Sequence, residues 1–169
     1  MEVREDIVIT GYAGSLGAAF ITEERYEELC GCFRKSLLDE VISIGKAVPE
    51  EPDIPSSFQM IESTGAGRGS DGILTRLYQE AVKRRCGLCI ELKKIPVRQM
   101  TVEICEKYGL NPYRIEDNCR IILTPSGMGH AEAERLKKEG LTAFCIGHFT
   151  ADPAKIITDK TSIEYINRA

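Results

Sequence analysis

The stretch "RIILTPSGMGHAEAERLKKEGLTAFCIGHF", residues 120–149, contains both kinds of segment from which the fold is predicted. The apolar run "RIILTP" indicates a strand, and "GHAEAERLKKEG" has the spacing of an amphipathic helix that ends at Gly140. The apolar run "TAFCIGHF" then indicates a second strand. A strand, a helix and a strand in succession predict a sheet with a helix packed on it.

The rest of the chain continues this alternation. Further strand patterns occupy "DIVITGY" (Asp6–Tyr12), "LCIEL" (88–92) and "AKIIT" (154–158). Because strands and helices are interleaved and several connections are short, we predict an α/β domain, of the α+β layered type, in which a mixed sheet is covered by helices.

Four helices are predicted outside the opening stretch. Three prolines between Pro49 and Ser57 mark a loop between the second and third of them. The first follows the Thr-then-acid start signal at Thr22, and the second begins at Ser36. The third runs from Ile73 to a stop at Gly87, and the fourth lies within residues 96–112, where Gly109 and Pro112 end it.

Length and composition are those of a single globular domain. The chain has 169 residues, of which 43% are hydrophobic and 28% charged. A formal net charge of −4 argues against a nucleic-acid partner. No run of about 18 apolar residues and no export signal is present, so we expect no membrane partner and a cytoplasmic location.

The seven cysteines are scattered and odd in number, which predicts reduced thiols. Cys86 and Cys89 have the C-x-x-C spacing of a redox or metal site, but they lie where a helix ends and a strand begins, and no second pair completes a zinc set. We interpret them as structural thiols. The only two histidines, His130 and His148, have no partner visible in the sequence, so we predict neither a catalytic residue nor a metal site.

The segment "STGAGRGSDGIL", residues 63–74, contains a G-x-G-x-x-G pattern from Gly67 to Gly72. Such a pattern binds a nicotinamide dinucleotide when a strand ends at its first glycine and an acid follows about 20 residues later. Glu91 has the spacing required of that acid. The segment before Gly67 is polar rather than strand-like. A loop that caps the next helix is therefore the favoured interpretation, and affinity for an anion remains open.

A resemblance to a known family rests on the order of several motifs. Ile95-Pro96, the helix pattern after it and "GLNP" (109–112) follow one another, "DIVITGYAGSLGAAF" precedes them, and "RIILT" and "LTAFCIGHFT" come after. This order resembles the C-terminal domain of the AIR synthase-related (PurM/HypE) family, and most closely its HypE-like hydrogenase maturation branch. The resemblance implies a layered α/β fold, partly similar to a ferredoxin-like one, with residues 1–22 as connecting strand and turn and residues 23–169 as the domain.

The family comparison also assigns a role to the glycine-rich segment. It stands where the family has a nucleotide-facing loop close to H-D-x-T-x-G-G-I, with Ile61 at the His position and about five residues inserted before Gly72. On this basis we predict the following ligand or phosphate-binding residues: Glu62, Thr64, Gly65, Gly67, Gly69 and Gly72.

Three functional hypotheses follow from the resemblance and the pattern. Because the family's N-terminal domain, which supplies most of the ATP and magnesium site, and its tail cysteine have no counterpart here, the first is a stand-alone binding or accessory module. The second is half of an ATP-dependent enzyme, completed in trans by an N-terminal-type polypeptide or a second copy. The third is a nicotinamide-dinucleotide-binding protein. A homodimer is the expected form of self-association.

Overall fold

The computed structural model describes residues 4–61, 69–159 and 162–166, and every structural statement below concerns these residues. They form seven strands, six α-helices and one 3-10 turn. In chain order the elements are β1 (Glu5–Thr10), α1 (Ser15–Glu24), α2 (Tyr26–Leu29), α3 (Lys35–Lys46), β2 (Gln59–Ile61), α4 (Ile73–Lys83), β3 (Gly87–Glu91), the 3-10 turn (Leu92–Lys94), α5 (Gln99–Lys107), β4 (Arg120–Pro125), α6 (Gly129–Lys138), β5 (Ala143–Thr150), β6 (Lys155–Asp159) and β7 (Ser162–Tyr165).

The strands form one mixed sheet in the order β2-β4-β1-β5-β3-β6-β7. β1 is an interior strand that pairs antiparallel with β4 on one side and β5 on the other. β6 pairs parallel with β3, whereas the other neighbours are antiparallel. The predicted mixed sheet covered by helices is confirmed.

Each face of the sheet carries its own hydrophobic core. Ile7 and Ile9 of β1 point to the side covered by α4, where Leu77 is fully buried. Val8 points to the opposite side, where α6 contributes Leu136. Alternate residues of a strand face opposite sides of the sheet, so the apolar run of β1 fills both cores. The predicted β1, β3, β4, β5 and β6 are all present.

The first helix begins earlier than the sequence predicts. α1 starts at Ser15, after Gly14 in the left-handed conformation (φ 70), and not at the Thr22 signal. Its small residues allow α3 to approach so closely that a side chain at Gly45 would overlap the Ser15 carbonyl oxygen. Because this helix is buried along much of its length, it lacks the polar side that makes a helix visible in a sequence.

Gly87 does not end α4 as predicted. The residue with a positive φ after this helix is Arg85 (φ 55), and Gly87 is the first residue of β3. A side chain at Gly87 would overlap the Asp152 carbonyl oxygen, so this glycine permits close packing of the strand. Gly109 and Gly140, by contrast, have φ values of 65 and 93 at helix ends, as predicted.

Two short edge strands were not predicted. β2 has three residues, too few to show an alternating pattern, and β7 has four, all of them exposed. Across the described residues, no helix has both the length and the apolar character needed to cross a membrane.

Candidate functional site

The described part of the glycine-rich loop lies between the N-termini of α1 and α4. Gly69 and Gly72 belong to it, whereas Glu62, Thr64, Gly65 and Gly67 lie outside the described residues. The segment from Tyr113 to Asp117, which leads into β4, packs against this end of the loop. These elements together form the candidate site.

Gly69 donates its backbone N–H to the Oε1 atom of Glu116, with the nitrogen 2.7 Å from the oxygen. Gly69 has a φ of 81, a conformation that glycine adopts with little strain. The half-buried Glu116 also lies against α1, where a side chain at Gly17 would come within 2.8 Å of its Oε2 atom. A carboxylate of the protein itself thus occupies the position of an anion at this amide.

Gly72 has a packing role. It precedes the first residue of α4, and a side chain there would come within 2.6 Å of the Ile115 carbonyl oxygen. The close approach of the loop to residues 114–115 therefore explains this glycine without a ligand.

Backbone carbonyls of the same segment satisfy amides in the first turns of both helices. The Leu74 amide of α4 donates to the Tyr113 oxygen at 3.1 Å, and the Gly17 amide of α1 donates to the Glu116 oxygen at 2.8 Å. Amides in the first turn of a helix are the groups that bind phosphate at such sites. These two are already engaged within the protein.

Beneath the loop, a buried ion pair joins α4 to the segment before β4. Arg76 is 4% exposed and Asp117 is 0% exposed, and the Nη2 atom of Arg76 donates to Oδ1 of Asp117. Arg76 also donates to the Cys119 carbonyl oxygen at 3.0 Å, and the Cys119 amide donates to Asp117 at 2.9 Å. Burial raises the pKa of Asp117, and the positive charge of Arg76 opposes that rise. The pair holds the floor of the site in place.

The arrangement required for a nicotinamide dinucleotide is absent from the described residues. β2 pairs antiparallel with β4 at the edge of the sheet. Glu91 does end the following strand, β3, but three strands separate β3 from β2. A dinucleotide site needs two adjacent parallel strands, so the fold contradicts the third hypothesis.

The cysteines are free, as predicted, and all seven lie in the described residues. Cys86 and Cys89 are half-buried, one just before β3 and one within it. Burial raises the pKa of the Cys86 thiol, which keeps it protonated and poorly nucleophilic. Among the described residues, no group of three metal-ligating side chains is placed to hold an ion.

The structure brings together two residues that the sequence leaves isolated. His130, in the first turn of α6, and His148, on β5, line the same cavity with Asp6 of β1. The three residues come from distant parts of the chain. Only strand pairing reveals their proximity.

The fold defines the class of protein to which the chain is similar. Sequence comparison finds no match, either to a family model or to a curated protein. Structural comparison identifies the fold of the AIR synthase-related (PurM-like) proteins, over a length that fits their C-terminal domain. The fold predicted from the resemblance is therefore confirmed.

Several of the solved structures with this fold are those of the hydrogenase maturation protein HypE. HypE in a HypE–HypF complex has a TM-score of 0.71 and 17% identity, over 100% of this chain and 54% of that chain. HypE from E. coli has a TM-score of 0.71 and 17% identity, over 99% and 50%. A HypE in complex with ATP has a TM-score of 0.68 and 15% identity, over 98% and 50%. The chain thus spans about half the length of each.

Proposed function

We propose that this chain is a HypE-like, AIR synthase-related C-terminal-type domain that acts as a binding or accessory module and does not catalyse an ATP-dependent reaction alone. The hydrogen bond from Gly69 to Glu116 carries the proposal. A loop that binds phosphate needs free backbone amides, and here one such amide is bound to a carboxylate.

The electrostatics of the site support this function. A phosphate approaching Gly69 would meet the negative charge of Glu116, and like charges at close range repel each other. The Leu74 and Gly17 amides do not offset this repulsion, because carbonyl oxygens already accept their hydrogen bonds.

Calorimetric titration with ATP and magnesium tests the proposal. We expect the wild-type chain to bind more weakly than about 1 mM, which corresponds to about −4 kcal/mol, and to hydrolyse no ATP. Tight binding together with turnover by the chain alone would contradict the proposal.

A charge-neutral variant tests the part assigned to Glu116. Glu116→Gln removes the negative charge beside the Gly69 amide, so inorganic pyrophosphate should bind more tightly to this variant than to the wild type. Glu27→Gln makes the same change on the exposed surface of α2 and serves as the control. Equal affinities of all three proteins would remove Glu116 from the argument.

The second hypothesis keeps the same site but adds a partner. It is favoured by the match to about half of a HypE that was solved with ATP. In this case an N-terminal-type nucleotide-binding polypeptide, or a second copy of the chain, displaces Glu116 from Gly69 and completes an ATP and magnesium site. ATP hydrolysis should then appear only when such a polypeptide is added. A pull-down from the native host that recovers no such protein would count against it.

Self-association is the simplest form of partnership. We expect a homodimer, which light scattering of the isolated chain would detect. A monomer at all accessible concentrations would exclude a second copy as the partner.

A further inference from the structure

The cavity lined by His130 and His148 lies on the α6 side of the sheet, away from the glycine-rich loop. Its volume is about 330 Å³, and it opens between the start of β1, the middle of β5 and the loop before α6. The residues that line it and can carry a charge are Arg4, Asp6, Glu91, Lys94, His130, Cys145 and His148.

A β-bulge places His148 in this cavity. Ile7 pairs with Gly147 and Val8 pairs with Cys145, so Ile146 is an extra residue on β5. The bulge brings His148 opposite Asp6, on the same face as Val8. Without the extra residue, His148 would point into the core on the α4 side, because a shift of one residue moves each side chain to the other face.

Gly147 permits this irregular strand to remain paired with β3. A side chain at Gly147 would overlap the Cys89 carbonyl oxygen. Cys89 pairs with His148, so Asp6, His148 and Cys89 form one row across three strands. Directly opposed residues have Cβ atoms about 4.5–5.5 Å apart, which keeps the imidazole near the Asp6 carboxylate.

The acidic groups of the cavity already have partners. Asp6 accepts hydrogen bonds from the Gly127 amide at 2.8 Å and the Gly129 amide at 3.0 Å. Glu91 pairs with Lys94 at 2.9 Å. Asp6 thus occupies the N-terminus of α6, and these amides do not attract a ligand.

Among the basic groups, Lys94 is paired with Glu91, and the other three are less fully engaged. Within residues 4–61, 69–159 and 162–166, no ion pair involves Arg4, and no hydrogen bond involves the imidazole of His130 or His148. The carboxylate of Glu134, one turn further along α6, interacts electrostatically with His130. Arg4, Lys94, His130 and His148 therefore present four nitrogen-bearing side chains to one cavity.

We propose that this cavity binds a small phosphorylated molecule through its phosphate group. Arg4 and Lys94 supply permanent positive charge, and His130 and His148 donate hydrogen bonds when protonated. One water molecule occupies about 30 Å³, so the cavity has room for a phosphate monoester with a short carbon chain. Buried Cys145 lines the base of the cavity, where burial raises its thiol pKa and keeps it uncharged.

The chain's two histidines make the site directly measurable. Because there are no others, each imidazole signal in an NMR spectrum reports on this cavity. Glycerol phosphate should shift both signals with one common dissociation constant, because one bound phosphate would contact both imidazoles. Sodium chloride at equal ionic strength is the control for screening. Failure of either signal to move, or different constants for the two, would overturn the proposal.

Two variants and a second anion complete the test. Arg4→Gln and Lys94→Gln should each weaken binding at least fivefold, whereas Arg25→Gln and Lys83→Gln, at exposed positions elsewhere, should not. Sulfate, as a second anion, should show the same loss of affinity in Arg4→Gln and Lys94→Gln. Equal binding by all variants would refute the assignment. Binding of inorganic phosphate as tight as that of glycerol phosphate would overturn the part that assigns an organic ligand.

Discussion

At the scale of single residues, two neighbouring acids have different surroundings and different roles. Glu116 is half-buried and binds the Gly69 amide at the glycine-rich loop. Asp117 is fully buried and pairs with Arg76. Contacts with α1 and α4, which lie far away along the chain, determine what each carboxylate does.

The Arg76–Asp117 pair gives a prediction about stability. Asp117→Ala should lower the free energy of unfolding by about 3–5 kcal/mol, because it leaves the Arg76 charge buried without a partner. The double variant Arg76→Met with Asp117→Leu should recover most of that loss, since no charge remains buried. Urea denaturation followed by circular dichroism measures both.

An exposed pair is the control for this prediction. Glu134 on α6 is 65% exposed and lies 2.8 Å from Lys137, so Glu134→Gln should change the unfolding free energy little. If Asp117→Ala were as mild as this surface variant, the buried pair would not stabilise the fold as inferred.

At the scale of elements, the irregular part of β5 decides which residues meet. The bulge at Ile146–Gly147 turns His148 toward Asp6 and His130, whereas a regular strand would have buried it on the other face. The sequence predicted the strand but not the extra residue. An apolar run with one glycine is compatible with either register.

The bulge predicts a specific effect of Gly147→Ala. The new methyl group would overlap the Cys89 carbonyl oxygen, so β3 and β5 must separate, at a cost of about 1–3 kcal/mol. His148 should then show an altered NMR signal, whereas His130 on α6 should change less. Gly31→Ala, whose methyl group meets only the Glu28 oxygen at 3.3 Å, is the comparison. An unchanged His148 signal would show that the bulge does not position this side chain.

At the scale of the whole molecule, none of the seven cysteines of the described residues forms a disulfide. Burial raises the pKa of four of these free thiols: Cys86, Cys105, Cys119 and Cys145. A raised thiol pKa in the fold means that the folded state favours the neutral form. The resulting stabilisation is fully present below the pKa of the unfolded thiol, near 9.0, and is lost as the pH rises through the pKa of the folded thiol.

Cys105 allows this effect to be measured, because burial raises its pKa to about 11. Cys105→Ala removes a buried thiol, so it should destabilise the protein at pH 8. At pH 10 the wild type has lost part of the thiol's contribution, so the cost of the substitution should be smaller. Urea midpoints at the two pH values test this, with Ile104→Val as a buried variant that has no titrating group. An equal loss of stability at both pH values would contradict the raised pKa of Cys105.

Local patterns in the sequence predicted the class of fold, five of the seven strands, the start of α4 at Ile73 and the reduced state of the thiols. These features depend on local periodicity, turn residues and composition, which are readable in one chain segment at a time. The ligand-binding roles of Glu62, Thr64, Gly65, Gly67, Gly69 and Gly72 stay predictions, as do the cytoplasmic location and the division at residues 22 and 23.

The contacts between distant segments follow from the tertiary structure and not from any local pattern. It placed Glu116 on the Gly69 amide, paired Arg76 with Asp117, set α1 against α3 and brought His130 and His148 into one cavity. Each of these depends on strand order and close packing, which bring together residues up to 47 positions apart at the loop. Periodicity describes which face of an element is buried, but it carries no information about which distant residue lies opposite.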